Sequence, residues 1–74
     1  MAESLLNGVD VEIRAQVALA TNSIFALREL RVERDGEVLI ISGRVASFYY
    51  KQLAQEVVRT VARGVTVENS IDVD

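Results

Sequence analysis

The chain lacks cysteine, histidine, tryptophan and proline altogether. Without cysteine there is no disulfide and no thiolate metal site. Without histidine the usual general base, the imidazole partner of a nucleophile and the commonest nitrogen ligand of soft metals are missing. Ser4, Ser23, Ser42, Ser47 and Ser70 therefore have no imidazole to activate them. The lack of cysteine fits any compartment and leaves the redox environment open. Long apolar runs are missing too. No stretch approaches the roughly 20 residues of a membrane span. Met1-Ala2-Glu3-Ser4-Leu5-Leu6 has neither the basic start nor the apolar core of a signal peptide. Basic charge is in deficit, with 8 Lys and Arg against 11 Asp and Glu and a net charge of −3. That balance argues against a nucleic-acid footprint. These absences predict a soluble chain with no cofactor, no metal, no nucleic-acid partner and no enzymatic activity.

What is present is a core. Half of the 74 residues are hydrophobic, which suits one domain. A chain this short buries only about 60% of the surface its unfolded form exposes, so its stability margin is a few kcal/mol.

Residues 1–9 show no period and read as a poorly ordered leader, with a turn at Asn7-Gly8. Residues 10–74 read as the single domain. Asp10 is a helix N-cap with Glu12 in the first turn, and Ile13, Val17, Ala20 and Ile24 recur at helical spacing as the buried stripe. This predicts a helix from Val11 to about Ser23. From Arg28 to Arg34 the pattern alternates, and Asp35-Gly36 is a preferred pair for a two-residue type I′ hairpin turn. That turn sets Arg34 opposite Glu37, Val32 opposite Leu39 and Leu30 opposite Ile41, and it gathers Leu30, Val32, Leu39, Ile41 and Val45 on one face. The second strand runs from Glu37 to Val45. Ser47 is the N-cap of a second helix with Tyr50, Leu53, Ala54, Val57 and Val61 as its apolar stripe, flanked by Val58 and stopped by Gly64. Val65, Val67, Asn69, Ile71 and Val73 then share one face of a last strand. Gly36 serves the turn and Gly43 a close approach of helix to sheet.

The expected order is α-β-β-α-β. Val38, Leu39, Ile40 and Ile41 make the second strand apolar on both faces, so it belongs in the centre. The fold class is α+β, a two-layer αββαβ domain whose three-stranded mixed sheet has both helices on one face.

The ordered set of residues resembles the BON domain family over nearly the whole chain from Asp10. It comprises Ile13, Val17, Ala18 and Leu19 in the opening helix, then Asp35-Gly36. A strand with Leu39, Ile41, Gly43, Val45 and Ser47 follows. Ala54, Val57 and Val61 lie in the second helix, closed by Gly64-Val65, and Val67, Asn69, Ile71 and Val73 complete the set. The stretch from Gly64 to Asn69 is one residue shorter than the family's usual spacing. The resemblance implies an αββαβ domain of the bacterial cell envelope or periplasm that binds phospholipid or a protein partner and has no catalytic motif.

Two surface patches carry candidate sites. Phe48 and Tyr49 open the second helix, with Phe48 facing outward beside Gln52, Gln55 and Arg59. Together with Lys51, Arg59 and Arg63 they form either an interfacial patch for anionic phospholipid, in which aromatic rings sit at headgroup level, or a plain cover in which Phe48 folds back over the hairpin. Val38 and Ile40 lie on the sheet face away from the helices, facing Glu33 and Arg31. They form either a self-association surface or a patch covered by the stems of those side chains. Arg28, Arg31, Arg34 and Arg44 interleave with Glu29, Glu33, Asp35 and Glu37 and read as cross-strand ion pairs. Glu68, Asp72 and Asp74 lack the glycine-centred spacing of a Ca²⁺ loop, and no GXXG loop supports an RNA module. The leading expectation is a binding module at a membrane or an envelope partner. The alternative is a self-assembly domain, a weak homo-oligomer that uses the bare sheet face or an edge strand.

Overall fold

In the computed structural model the elements run α1 (Ala2–Ala20), one 3₁₀ turn (Phe25–Leu27), β1 (Arg31–Asp35), β2 (Val38–Val45), α2 (Phe48–Val61) and β3 (Thr66–Val73). The structure describes side chains from Val11 to Asp74. The side chains of the expected leader lie outside the described residues, but α1 runs through Asn7-Gly8 and Asp10, so the turn and the helix start expected there are replaced by continuous helix.

The sheet order is β1-β2-β3, with β2 in the centre as its two-sided apolar pattern predicts. β1 pairs antiparallel with β2, and β3 pairs parallel with β2. The buried residues Leu30, Val32, Leu39, Ile41, Val45 and Ile71 share one sheet face. α1 packs on β1 and on α2, while α2 covers β2 and β3. This is the expected two-layer α+β arrangement.

Three local expectations are corrected. The hairpin register is shifted by two residues: Val32 faces Ile41, Arg34 faces Leu39 and Asp35 faces Val38. The two loop residues are therefore Gly36 and Glu37, not Asp35 and Gly36. Only Gly36 has positive φ, at +64°. A type I′ turn needs φ > 0 at both central residues, whereas a type II′ turn needs it only at the first, which is where glycine stands. A shift of two keeps every side chain on its expected face. Second, β1 begins at Arg31 rather than Arg28, because the chain before it is spent on the 3₁₀ turn over Phe25–Leu27. Gly43, third, makes room for β1's approach and not for a helix: a Cβ there would lie 2.7 Å from Leu30 Cδ2.

The largest correction concerns α1. Its buried stripe is Ala15 and Leu19, with Val11 partly buried, while Ile13 and Val17 are about half exposed and Ala20 lies at the surface. Both stripes have i, i+4 spacing, so the period alone does not choose between them. Gln16 does. Its Nε2 donates to Leu30 O at 2.8 Å, and its Oε1 accepts from Val32 N–H at 2.8 Å. The amide thus takes the place of a neighbouring strand along β1 and fixes how α1 is rotated. Gln16→Ala leaves a donor and an acceptor of β1 without partners. A loss of about 1–3 kcal/mol is expected, read as a lower urea midpoint at unchanged m-value.

In α2 the most buried residues are Ala54 and Val58, with Ala62 just beyond the helix. Tyr50, Leu53, Val57 and Val61 pack against the core while partly buried. The expected stripe is present, but its centre is turned toward Val58, where small side chains let the helix lie close on the sheet.

Candidate functional site at the aromatic end of the domain

Ser47 sets the start of α2. Its backbone is extended (φ −146°, ψ 155°) and its hydroxyl accepts from Tyr50 N–H at 3.3 Å. Phe48 and Tyr49 therefore fall in the first turn, ahead of the part of the helix that covers the core. Phe48 is 61% exposed and Tyr49 66%; Phe48 does not fold back over the hairpin. Tyr50 turns inward, and its ring centroid lies 5.7 Å from that of Tyr49.

Two further side chains reach the same end. The 3₁₀ turn packs against α2 and holds Phe25, which is 72% exposed with the Arg28 guanidinium 5.5 Å from its ring centroid. β3 ends alongside the residues that lead into α2: Val73 pairs with Val45, and Asp74 N–H donates to Val45 O at 3.0 Å. Val73 is 40% exposed. Sequence reasoning missed Phe25 and Val73. The available signal for Phe25 was a large aromatic in a short segment with neither helical nor strand period.

The expected cations are not gathered with the aromatics. Lys51 is half-buried, and its carbonyl accepts from Asn69 Nδ2 at 2.9 Å. Arg59 is exposed, but it lies about 16 Å further along α2 by the helix rise. Arg63 lies past the helix end, where it lines an open cleft of about 570 Å³ with Arg14, Arg34 and Glu37 over Val11, Leu39, Val61 and Val65. In that cleft Arg14 Nη2 donates to Val61 O at 3.1 Å and so satisfies a carbonyl at the C-terminal end of α2.

Of the arginines expected in cross-strand ion pairs, Arg44 does bridge from β2 to the residue just beyond β3, while Arg28 and Arg34 bond main-chain carbonyls. Arg28 Nε donates to Asn22 O and Arg34 Nε to Gly36 O. Arg44 pairs with Asp74 at 3.3 Å, both side chains exposed. On the outer sheet face Val38 and Ile40 are half-buried. Ile40 faces Glu33 and Val38 faces Asp35 on one side, with Glu68 and Thr66 on the other. The expected facing of Ile40 by Arg31 moves to Ser42 with the register. Among the described residues no group of three His, Cys, Asp or Glu is placed to hold a metal ion, and no helix is long and apolar enough to cross a membrane. The chain matches no family model and no curated protein.

Proposed function

We propose that the chain is a non-catalytic binding module that rests on a phospholipid surface through the end of the domain carrying Phe25, Phe48, Tyr49 and Val73. One observation carries the reading: these four account for most of the large apolar side chains exposed among the described residues, and their elements adjoin, Val73 pairing with Val45 just before α2 and Phe25 standing on a turn packed against α2. Aromatic rings with an apolar body and, in Tyr49, a polar tip suit the headgroup boundary. The resemblance to BON domains points the same way and suggests an envelope setting.

Charge plays a small part. Arg28, Arg44 and Lys51 at this end stand with Glu29, Asp72 and Asp74, and the more basic group of Arg59 and Arg63 is remote. Binding is therefore weak, driven by the rings and only modestly sensitive to salt. Co-sedimentation with zwitterionic and with anionic vesicles tests this. Phe48→Ser combined with Phe25→Ser is expected to lower partitioning about tenfold or more, as the loss of two inserted rings implies, while Arg59→Glu leaves it nearly unchanged. Equal binding by the parent and the double variant, or dependence on Arg59 alone, refutes the reading.

A further inference from the structure

The two edges of the sheet are unequal. β1 is short, and its outer edge is held by Gln16. β3 is eight residues long and has its main packing partners in β2 and α2 among the described elements. Asp74 N–H donates to Val45 O, so by alternation the even-numbered residues of β3 turn their N–H and C=O groups toward β2. Val67, Asn69, Ile71 and Val73 turn theirs outward, and of these the Ile71 N–H is taken by Asn69 Oδ1 at 3.2 Å. The rest form a template for another strand.

We propose that this edge pairs antiparallel with β3 of a second copy in one register, centred on Asn69. The proposal is independent of the membrane reading and rests on charge. Inner side chains must face inner ones, which leaves only registers centred on a residue. Centring on Glu68 sets Glu68 against itself. A centre on Ser70 sets Glu68 against Asp72, and one on Ile71 sets it against Asp74. Centring on Asp72 sets Asp72 against itself. All four place like charges directly opposite, which destabilises a strand pair. Centring on Val67 leaves most of β3 unpaired.

The register on Asn69 has none of these faults. Val67 faces Ile71 and Val65, just before β3, faces Val73, extending the apolar inner face. With the Ile71 N–H held by Asn69 and the Val65 N–H by Ala62 O, each of these flanking pairs makes one ladder bond in place of two. On the outer face Glu68 meets Ser70 and Thr66 meets Asp72. Ser70 Oγ already donates to Glu68 Oε2 at 3.1 Å within the chain, so the hydroxyl and carboxylate are compatible neighbours. The contact is isologous: each copy presents the same strand to the other. Joined through one strand, it is a small interface and a weak one.

Glu68 and Ser70 turn their backbone groups toward β2. Across the two copies they therefore form a non-hydrogen-bonded pair, the closer kind, within disulfide reach. The chain has no cysteine of its own, so the test is clean. Chains carrying Glu68→Cys are mixed with chains carrying Ser70→Cys at about 1 mM and oxidised, and each variant is also oxidised alone. The mixture is expected to cross-link into a heterodimer, and each variant alone to stay largely uncross-linked. Sedimentation of the unaltered chain is expected to show its 8.2 kDa mass rising toward twice that value with concentration. Ser70→Glu, an exposed change that puts acids opposite each other twice, is expected to hold the chain monomeric with an unchanged circular dichroism spectrum. An unaltered chain that stays monomeric at that concentration overturns the proposal. So does a cross-link formed by either cysteine variant alone, or a dimer in which the mixture does not cross-link.

Discussion

Ile41→Ala is expected to remove about 2–5 kcal/mol of stability, a large share of the roughly 4–11 kcal/mol that a chain of this length carries. Ile41 is fully buried at the middle of the central strand. It has Val32 as neighbour on one side and Asn69 on the other, with both helices over its face. Truncation leaves a cavity that the surrounding strands cannot close without breaking their own ladder. The control is Ile40→Ala, one residue away on the half-buried outer face, where the loss is expected to stay near 1 kcal/mol. Urea denaturation of both variants measures the difference. Equal losses at the two positions contradict the assignment of faces.

Gly43→Ala is the second large effect, and it adds one carbon where Ile41→Ala takes several away. Gly43 sits at φ +131°, a backbone conformation that side chains rarely adopt. Its missing Cβ would also lie 2.7 Å from Leu30 Cδ2, and Leu30 is itself buried. Strain and overpacking together are expected to cost about 2–5 kcal/mol. The two causes separate in a double-mutant cycle. With Leu30→Ala in the background the clash disappears and the backbone strain stays, so Gly43→Ala is expected to cost measurably less there. Gly36→Ala, at φ +64° with nothing within 4 Å of the added carbon, carries strain alone and is expected to cost about 1–2 kcal/mol. A Gly43→Ala loss no larger than that of Gly36→Ala removes the Leu30 contact as the cause.

The element types, their order and the central place of β2 were legible because each rests on a local signal: the alternation around Leu39 and Ile41, the hydroxyl of Ser47, the glycine of the turn. The errors fell where one signal allowed two answers. Asp35-Gly36 and Gly36-Glu37 are both acceptable loops, and the backbone took the one that needs a positive φ only at glycine. In α1 two apolar stripes compete on opposite sides of one helix. Ile13 and Val17 are the more hydrophobic choice, yet Ala15 and Leu19 face the core. The deciding contact, Gln16 on β1, joins residues 14 and 16 positions apart, and periodicity holds no trace of it. Of the candidate site, Phe48 was legible as an outward residue from the helical wheel, whereas the wheel sets Tyr49 on a flank and its exposure is a finding of the structure. That Phe25 and Val73 stand beside them depends on how the 3₁₀ turn and the end of β3 meet α2, which is a tertiary fact.

The side-chain amide of Gln16 has a consequence for what this sheet can become. A sheet with two open edges is a monomer for a filament, since each addition exposes a fresh copy of the surface just covered. Here a strand that joins β3 finds no equivalent opening on the far side, where Leu30 O and Val32 N–H are already engaged. In the proposed dimer, growth in the hydrogen-bonding direction would therefore end after one step, the far edge being closed by one glutamine of a helix.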